Sequence, residues 1–391
     1  MRLSSRVLLA EHSPLRSAYY VRTSGPEMMG PSGYSANNGR TWTPFEPILP
    51  PAEPLPAGYR RLAAASIVDP AAGALVRVFN ALDVPGLDPS IGEPPIALRS
   101  WYLRYRVSVD AGRSYLFDEQ IVQNGHSPEN PFDGVWVGRN AIFLGDAGSC
   151  PIRTRDGHLL VPAQACTVGE DGQLSSPGGG FTYTDALMLI GSWTAENRLA
   201  WEISERIQAE PTRSTRGMIE PTLAELPDGR ILCVMRGSNG GSRDPEFRVP
   251  SYRWHSVSRD GGITWSRPEP WSYEDGTRFY SPSSMSQLLA HSSGRFLWIG
   301  NIAPRNCRGN APRYPLVIGE VDPVHACLLR NSIVEIDTRD AEYSGDFELS
   351  NFHAFEDRET REVVIPMGRW KGSGGKTISY DPVVYRIEVV S

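Results

Sequence analysis

The stretch Ser258-Arg259-Asp260-Gly261-Gly262-Ile263-Thr264-Trp265 reads as Ser-x-Asp-x-Gly-x-Thr-Trp, and that spacing describes a turn. A carboxylate at Asp260 can fold back onto nearby backbone N–H groups. Gly261 and Gly262 can take positive φ without steric cost. Thr264 and Trp265 then lead into a strand, with the indole packed under the turn. Tyr252–Val257 alternates before the turn, as a strand feeding it should.

The pattern returns twice in weaker form. Ser108-Val109-Asp110-Ala111-Gly112-Arg113-Ser114-Tyr115 keeps Ser, Asp and Gly and changes the aromatic residue. Ser35-Ala36-Asn37-Asn38-Gly39-Arg40-Thr41-Trp42 keeps all but Asp, replaced by Asn37, which can cap the same turn. Ser35 to Ser108 is 73 residues, and Ser108 to Ser258 is 150, close to twice that. A fixed period carrying a hairpin marks a repeat architecture, and an all-β unit predicts a propeller. The chain of 391 residues holds between five and six such periods.

The motif is that of the Asp-box, and the sequence resembles the sialidase (neuraminidase) superfamily. That resemblance implies an all-β fold: one domain over residues 1–391, a six-bladed β-propeller of four-stranded antiparallel blades. Strand signals run along the whole chain in support. They fall at Val7–Ala10, Ala18–Val21, Ala63–Val68, Ala74–Asn80, Trp101–Val107, Ala141–Leu144, His158–Pro162 and Ala186–Ile190. The later ones are Leu199–Ile203, Ser284–Leu289, Phe296–Asn301, Leu316–Val321, Ser332–Ile336, Glu348–Phe355, Val363–Gly368 and Val383–Val390. A Pro-rich connector spans 50–58, and no segment reads as a long amphipathic helix.

Composition narrows the partners. A hydrophobic content of 40% supports a sizeable core, and 38 Gly with 33 Pro fit many turns between short strands. The net charge of −6 is spread through both signs, which argues against a nucleic acid or a membrane surface. The five Cys show no metal-ligand spacing and read as buried, reduced thiols. No metal or cofactor is expected. The apolar run near the start is only Val7–Ala10, too short for a signal sequence, so the chain is expected to be cytoplasmic, or secreted if a leader precedes it.

Charged residues at the ends of apolar strands are the candidates for chemistry, because a buried charge needs a partner or a ligand. Glu220 precedes one such run, Pro227-Asp228-Gly229-Arg230 turns the chain, and Arg236 ends the returning run Ile231–Met235. The hairpin brings Glu220 and Arg236 to the same end, either as a structural ion pair or as part of a site. Sialidases carry a Glu, a hairpin turn and an Arg at similar spacing. Tyr59-Arg60-Arg61-Leu62 resembles the family's Tyr/Phe-Arg-Ile-Pro motif, with Leu62 and Ala63 departing from it. The resemblance implies a carboxylate-binding triad of Arg60, Arg236 and Arg313, with Arg305 as the reserve for Arg313. It implies Asp83 as acid/base, Glu220 as the base and Tyr343 as the nucleophile. Leu349-Ser350-Asn351-Phe352 also fits the family segment, and in that register Leu349 takes the Tyr position.

The implied function is an exo-acting glycoside hydrolase removing a terminal sialic acid or related acidic sugar from glycans. Two alternatives stand beside it. One is a propeller glycosidase or polysaccharide lyase of other specificity using His126 or His353. The other is a noncatalytic glycan-binding propeller. Arg139, Asn140, Asn351, Arg369 and Trp370 are further residues expected near strand ends.

Overall fold

The computed structural model describes residues 6–12, 17–23, 33–35, 41, 43–44, 55–87, 97–341 and 343–390, apart from 111, 113, 147 and 371–379. They belong to two compact units. One comprises Met1–Leu144, Cys150–Leu174 and Leu189–Ile203, and the other Gly145–Ser149, Ser175–Met188 and Ser204–Ser391.

The first unit opens with a four-stranded sheet in chain order: β1 (Arg6–His12), β2 (Ser17–Thr23), β3 (Gly33–Ser35) and β4 (Thr43–Pro44). The next is also four-stranded: β5 (Tyr59–Asp69), β6 (Ala74–Asp83), β7 (Tyr102–Ser108) and β8 (Asp118–Gln120). A five-stranded sheet follows: β9 (Ile142–Leu144), β10 (Ile152–Arg153), β11 (Leu159–Cys166), β12 (Thr184–Trp193) and β13 (Leu199–Ile203), with β9 beside β11. Strand β12 passes from the second unit into the first after Met188. Leu82, Trp101, Ala141 and Cys166 form a buried cluster in the first unit.

The second unit carries β14 (Ile219–Glu225), β15 (Ile231–Arg236), β16 (Arg253–Ser258) and β17 (Glu269–Pro270) in one sheet. A five-stranded sheet has β18 (Gln287–Ala290), β19 (Phe296–Asn301), β20 (Leu316–Asp322), β21 (Cys327–Leu328) and β22 (Val334–Asp337). The last has β23 (Phe355–Glu356), β24 (Val363–Trp370) and β25 (Tyr380–Ile387). Neighbouring strands run antiparallel. Trp271 meets Trp298 edge-on at 5.7 Å, with Phe279 against both, in a core that includes Leu232, Val234 and Val317.

The expectation of six four-stranded blades is corrected here. Five sheets have four or five strands, and the sheet β23–β25 has three, with no further strand among the described residues. The segment Glu348–Phe355 is also not the strand its apolar residues suggest. Glu348 is bridged to Arg313 on one side and Trp370 on the other, and Asn351 takes a φ of 59°, which breaks the extended run.

The Ser258 turn has the expected construction. Asp260 Oδ1 accepts from Ser258 Oγ at 2.8 Å and from the Thr264 N–H at 2.9 Å, and Oδ2 accepts from Thr264 Oγ1 at 2.5 Å. Gly262, at a φ of 93°, donates its N–H to Ser258 Oγ, and Trp265 Nε1 donates back to the Gly262 carbonyl at 3.1 Å. In the first unit Ser108, Asp110, Gly112 and Ser114 repeat the same bonds. The third copy, at Ser35, lies outside the described residues from 36 to 40 and at Trp42. Part of the Pro-rich connector, 50–54, lies outside them too. Four of the five cysteines are buried and Cys150 is half-buried. No described helix is long and apolar enough to cross a membrane.

Candidate active site

The hairpin β14–β15 turns at Gly229, whose φ is 86°. Its register sets Ile219 opposite Arg236, then slips by one residue before Thr222. The slip is a bulge, and Glu220 sits in it with a φ of 50°. Left-handed backbone is sparsely populated for glutamate, and Pro221 behind it favours extended geometry. Such a conformation costs about 1–3 kcal/mol and persists only where the surroundings hold it. Gly145 is one such support: a Cβ there would lie 2.9 Å from Glu220 Cα.

The bulge aims Glu220 at Arg236. Glu220 Oε1 accepts from Arg236 Nη1 at 2.5 Å, and the two side chains are 12% and 8% exposed. The other guanidinium nitrogens of Arg236 are used as well, Nε on Ser283 Oγ at 2.7 Å and Nη2 on Asn310 Oδ1 at 3.1 Å. Burial pulls the Glu220 carboxyl up. The charge and hydrogen bond of Arg236, with Arg313 and Arg216 behind them, outweigh burial and hold it below the usual carboxylate range.

Arg313, just ahead of β20, stands on the far side of Ser283. Its Nη2 donates to the Ser283 carbonyl at 3.4 Å, and its Nη1 donates to Glu348 Oε2 at 2.9 Å. Arg313 Nε is buried and has no hydrogen-bond partner among the described residues. Glu348 is held by backbone bonds to Trp370 on both its N–H and its C=O. It is the more accessible carboxylate, 25% exposed at the side chain. Burial raises its carboxyl above the ordinary range; Arg313 and Arg236 oppose this without cancelling it, and Asp346 adds to it. The environments thus drive the two carboxylates apart, which is how a site separates an ionised group from a proton-carrying one.

Arg253, 1% exposed, lies beneath this pair. It donates to Ser281 Oγ, the Ser284 carbonyl and the Pro282 carbonyl, so it fixes the segment that presents Ser283. No carboxylate pairs with it among the described residues. Burial and the nearby Arg236 push its pKa down to about 9, which leaves it charged at neutral pH. Arg253 is thus a further guanidinium behind the pairs Arg236–Glu220 and Arg313–Glu348 and brings no carboxylate of its own to offset its charge, which suits the cluster to an anion.

In the first unit a second cluster forms at the β5–β6 hairpin. Arg61 reaches Asp83, Nη1 to Oδ1 at 2.5 Å, and Tyr102 donates its hydroxyl to Asp83 Oδ2. The reason is a bulge between Leu62 and Ala64. Below it Asp69 pairs with Ala74, and above it Tyr59 pairs with Asp83, so the register has moved by one. A one-residue slip exchanges faces, and Arg61 inherits the face that Arg60 would have had. Burial, with the hydrogen bond to Asp83, raises the Tyr102 phenol to about 12.

Tyr343 packs by its ring. Its ring stacks on Phe347 at 5.3 Å, with the Arg369 guanidinium 5.7 Å from its centroid. Leu349, the other residue at that position, is fully buried and donates its N–H to the Arg313 carbonyl. Arg305 is exposed. His126 Nδ1 sits 3.2 Å from the Asn130 carbonyl, within its own loop, and His353 is partly buried. Arg139 lies over Trp136, and Asn140 is buried with its amide on the Gly134 and Cys166 carbonyls. Arg369 pairs with Asp337 and Asp340. Sequence reasoning missed Tyr102, Arg253, Ser283, Asn310 and Glu348, and of the two registers of Tyr59-Arg60-Arg61-Leu62 it favoured Arg60 over Arg61. Glu348 had a signal, the one charge between Phe347 and Phe352, and so did Arg61, the second arginine of Tyr59-Arg60-Arg61-Leu62. No cluster of three or more His, Cys, Asp or Glu able to hold a metal occurs among the described residues.

The family model described as BNR repeat-like domain matches residues 92–326, more than half of the chain. No curated protein matches. Solved structures do. The intramolecular trans-sialidase from Ruminococcus gnavus is 11% identical, over 99% of this chain and 94% of that one, with a TM-score of 0.59. The NanB sialidase from Streptococcus pneumoniae is 12% identical, over 98% of this chain and 68% of that one, with a TM-score of 0.58. The alpha-L-arabinanase of Penicillium chrysogenum is 13% identical, over 98% and 93%, with a TM-score of 0.50. At these identities the likeness is one of fold, an all-β propeller of antiparallel sheets.

Proposed function

The chain belongs to the BNR repeat-like domain family, and from that premise we propose that it is a glycoside hydrolase of the propeller class that releases a terminal acidic sugar, of the sialic acid kind, from a glycan. The observation that carries the reading is the cluster around Ser283: Glu220 on strained backbone, bound to Arg236, with Arg313 on the other side of the same serine. In this reading Arg236 and Arg313 hold the sugar's carboxylate with their forked donors. Glu220, kept ionised by its arginine neighbours, stabilises the positive charge that develops at the anomeric carbon as the glycosidic bond breaks. The sialidases among the structural neighbours support the substrate class as relatives in fold.

We assign no step to Tyr343, whose ring packs on Phe347 and Arg369. One observation favours a second reading, a glycosidase for neutral sugars such as the arabinanase suggests. Arg236 and Arg313 each already hold a carboxylate, Glu220 and Glu348.

The test is release of 4-methylumbelliferone from its α-sialoside and from neutral glycosides, arabinofuranoside included, across pH 4 to 8. The proposal expects turnover of the sialoside that Glu220→Gln reduces by about 100-fold or more, as loss of a charge-stabilising group does. Turnover confined to the neutral glycosides moves the assignment to the second reading. Silence on all of them, with retained sialic acid binding, would leave a glycan-binding propeller.

A further inference from the structure

Glu348 is unexplained by the proposed chemistry, yet it occupies the guanidinium that the substrate is expected to use. Its Oε2 lies 2.9 Å from Arg313 Nη1. Its backbone is pinned to Trp370 by two hydrogen bonds and its neighbour Leu349 to Arg313, so the carboxylate is presented to Arg313 by fixed chain. Its side chain is 25% exposed, whereas that of Glu220 is 12%, and solvent can therefore exchange a proton with Glu348 more readily. We infer that Glu348 is a resident counter-anion of Arg313 which the carboxylate of an acidic sugar displaces, so that the sugar is taken up together with a proton. This rests on the reading that the site takes an acidic sugar.

The exchange balances. The Arg313–Glu348 ion pair breaks, solvent supplies one proton to Glu348, and Arg313 pairs with the incoming carboxylate. With Arg236 already paired to Glu220, leaving Glu348 ionised would put it and the incoming carboxylate on the Arg313 guanidinium together in a partly buried place, and like charges so placed cannot both stay ionised cheaply. The charged groups acting on Glu348 are Arg313 and Arg236, which favour its anion, and Asp346, which disfavours it. Burial also disfavours the anion. The consequence is a site that selects for acidic sugars and tightens as pH falls.

Isothermal titration of the full chain with N-acetylneuraminic acid and with its methyl ester, in two buffers of different ionisation enthalpy, tests this. Wild type is expected to take up close to one proton per acid bound at pH 7, and its affinity to rise about tenfold per pH unit on acidification until Glu348 is protonated. Glu348→Gln should bind the acid about tenfold tighter at pH 7, with no proton uptake and a flat pH profile. The ester should bind weakly to both, at every pH. Acid binding by wild type without proton uptake overturns the inference and leaves the proposed function standing, as does an unchanged slope in Glu348→Gln. Equal binding of ester and acid, or none of either at any pH, removes the acidic-sugar reading itself. The wild-type proton count decides the matter even if Glu348→Gln fails to fold.

Discussion

Replacing Arg236 by methionine is the perturbation that the site's geometry constrains most tightly. It keeps the length of the stem and deletes the guanidinium. The lost partners are Glu220 at 2.5 Å, Ser283 at 2.7 Å and Asn310 at 3.1 Å. Glu220 is only 12% exposed, so it stays behind as a buried carboxylate held mainly by Arg313 and Arg216 at longer range. Breaking a buried ion pair from one side costs about 3–5 kcal/mol, because the remaining charge is uncompensated. The magnitude should depend on pH, and the sign follows from Glu220. In wild type its folded pKa is depressed, so it contributes stability that is present above the unfolded value of about 4.3 and is lost as pH falls through the folded value. Without Arg236 burial dominates and the folded pKa rises above the unfolded one. Folding then binds a proton, and stability falls as pH rises through that raised value. The deficit of Arg236→Met measured by urea unfolding is therefore about 3–5 kcal/mol at pH 7 and shrinks towards pH 4. Adding Glu220→Gln should recover part of it at pH 7. A deficit under about 1 kcal/mol at pH 7, or one indifferent to pH, would refute the claim that the pair is buried and coupled.

Other expectations concern the supports. Gly145→Ala pushes a methyl into Glu220 Cα and should lower kcat about tenfold while leaving far-UV circular dichroism unchanged; full activity would mean the bulge is not held there. Asp260→Ala removes three hydrogen bonds from an exposed turn and should cost about 1–2 kcal/mol in urea unfolding, without altering KM. Asp83→Asn removes the charge that helps raise Tyr102, so its phenol should titrate below the present value of about 12. Ultraviolet difference titration against Tyr102→Phe reads that shift, and no movement would show burial alone to be responsible.

The hairpin logic was legible because everything that sets it is local. Asp228-Gly229 fixes the turn, and the apolar runs on either side fix the distance, so Glu220 and Arg236 had to end together. What local pattern cannot supply is a bulge. One inserted residue near Ala63 gives Asp83 to Arg61, and alternation alone would have paired it with Arg60. The partners of Arg313 were hidden for another reason. Ser283 and Glu348 lie 30 and 35 residues from it and reach it through bridges that no periodicity records. The Tyr-Ser dipeptide at Tyr343 did not record that its ring stacks on Phe347 with the Arg369 guanidinium over it. The strand count failed where Glu348–Phe355 has the composition of a strand and the bonding of a brace.

Arg253 gives the cluster a property that no contact with a ligand would reveal. It is a cation walled in by hydroxyl and carbonyl oxygens, with no acid to discharge it among the described residues. Its field does not swing with solvent as a surface lysine's does, and salt cannot reach in to mask it. It works as a fixed electrode beneath the serine loop, setting the baseline potential against which every anion above is weighed. The chain can therefore exchange the residues that meet a guest and still keep its leaning towards negative ones.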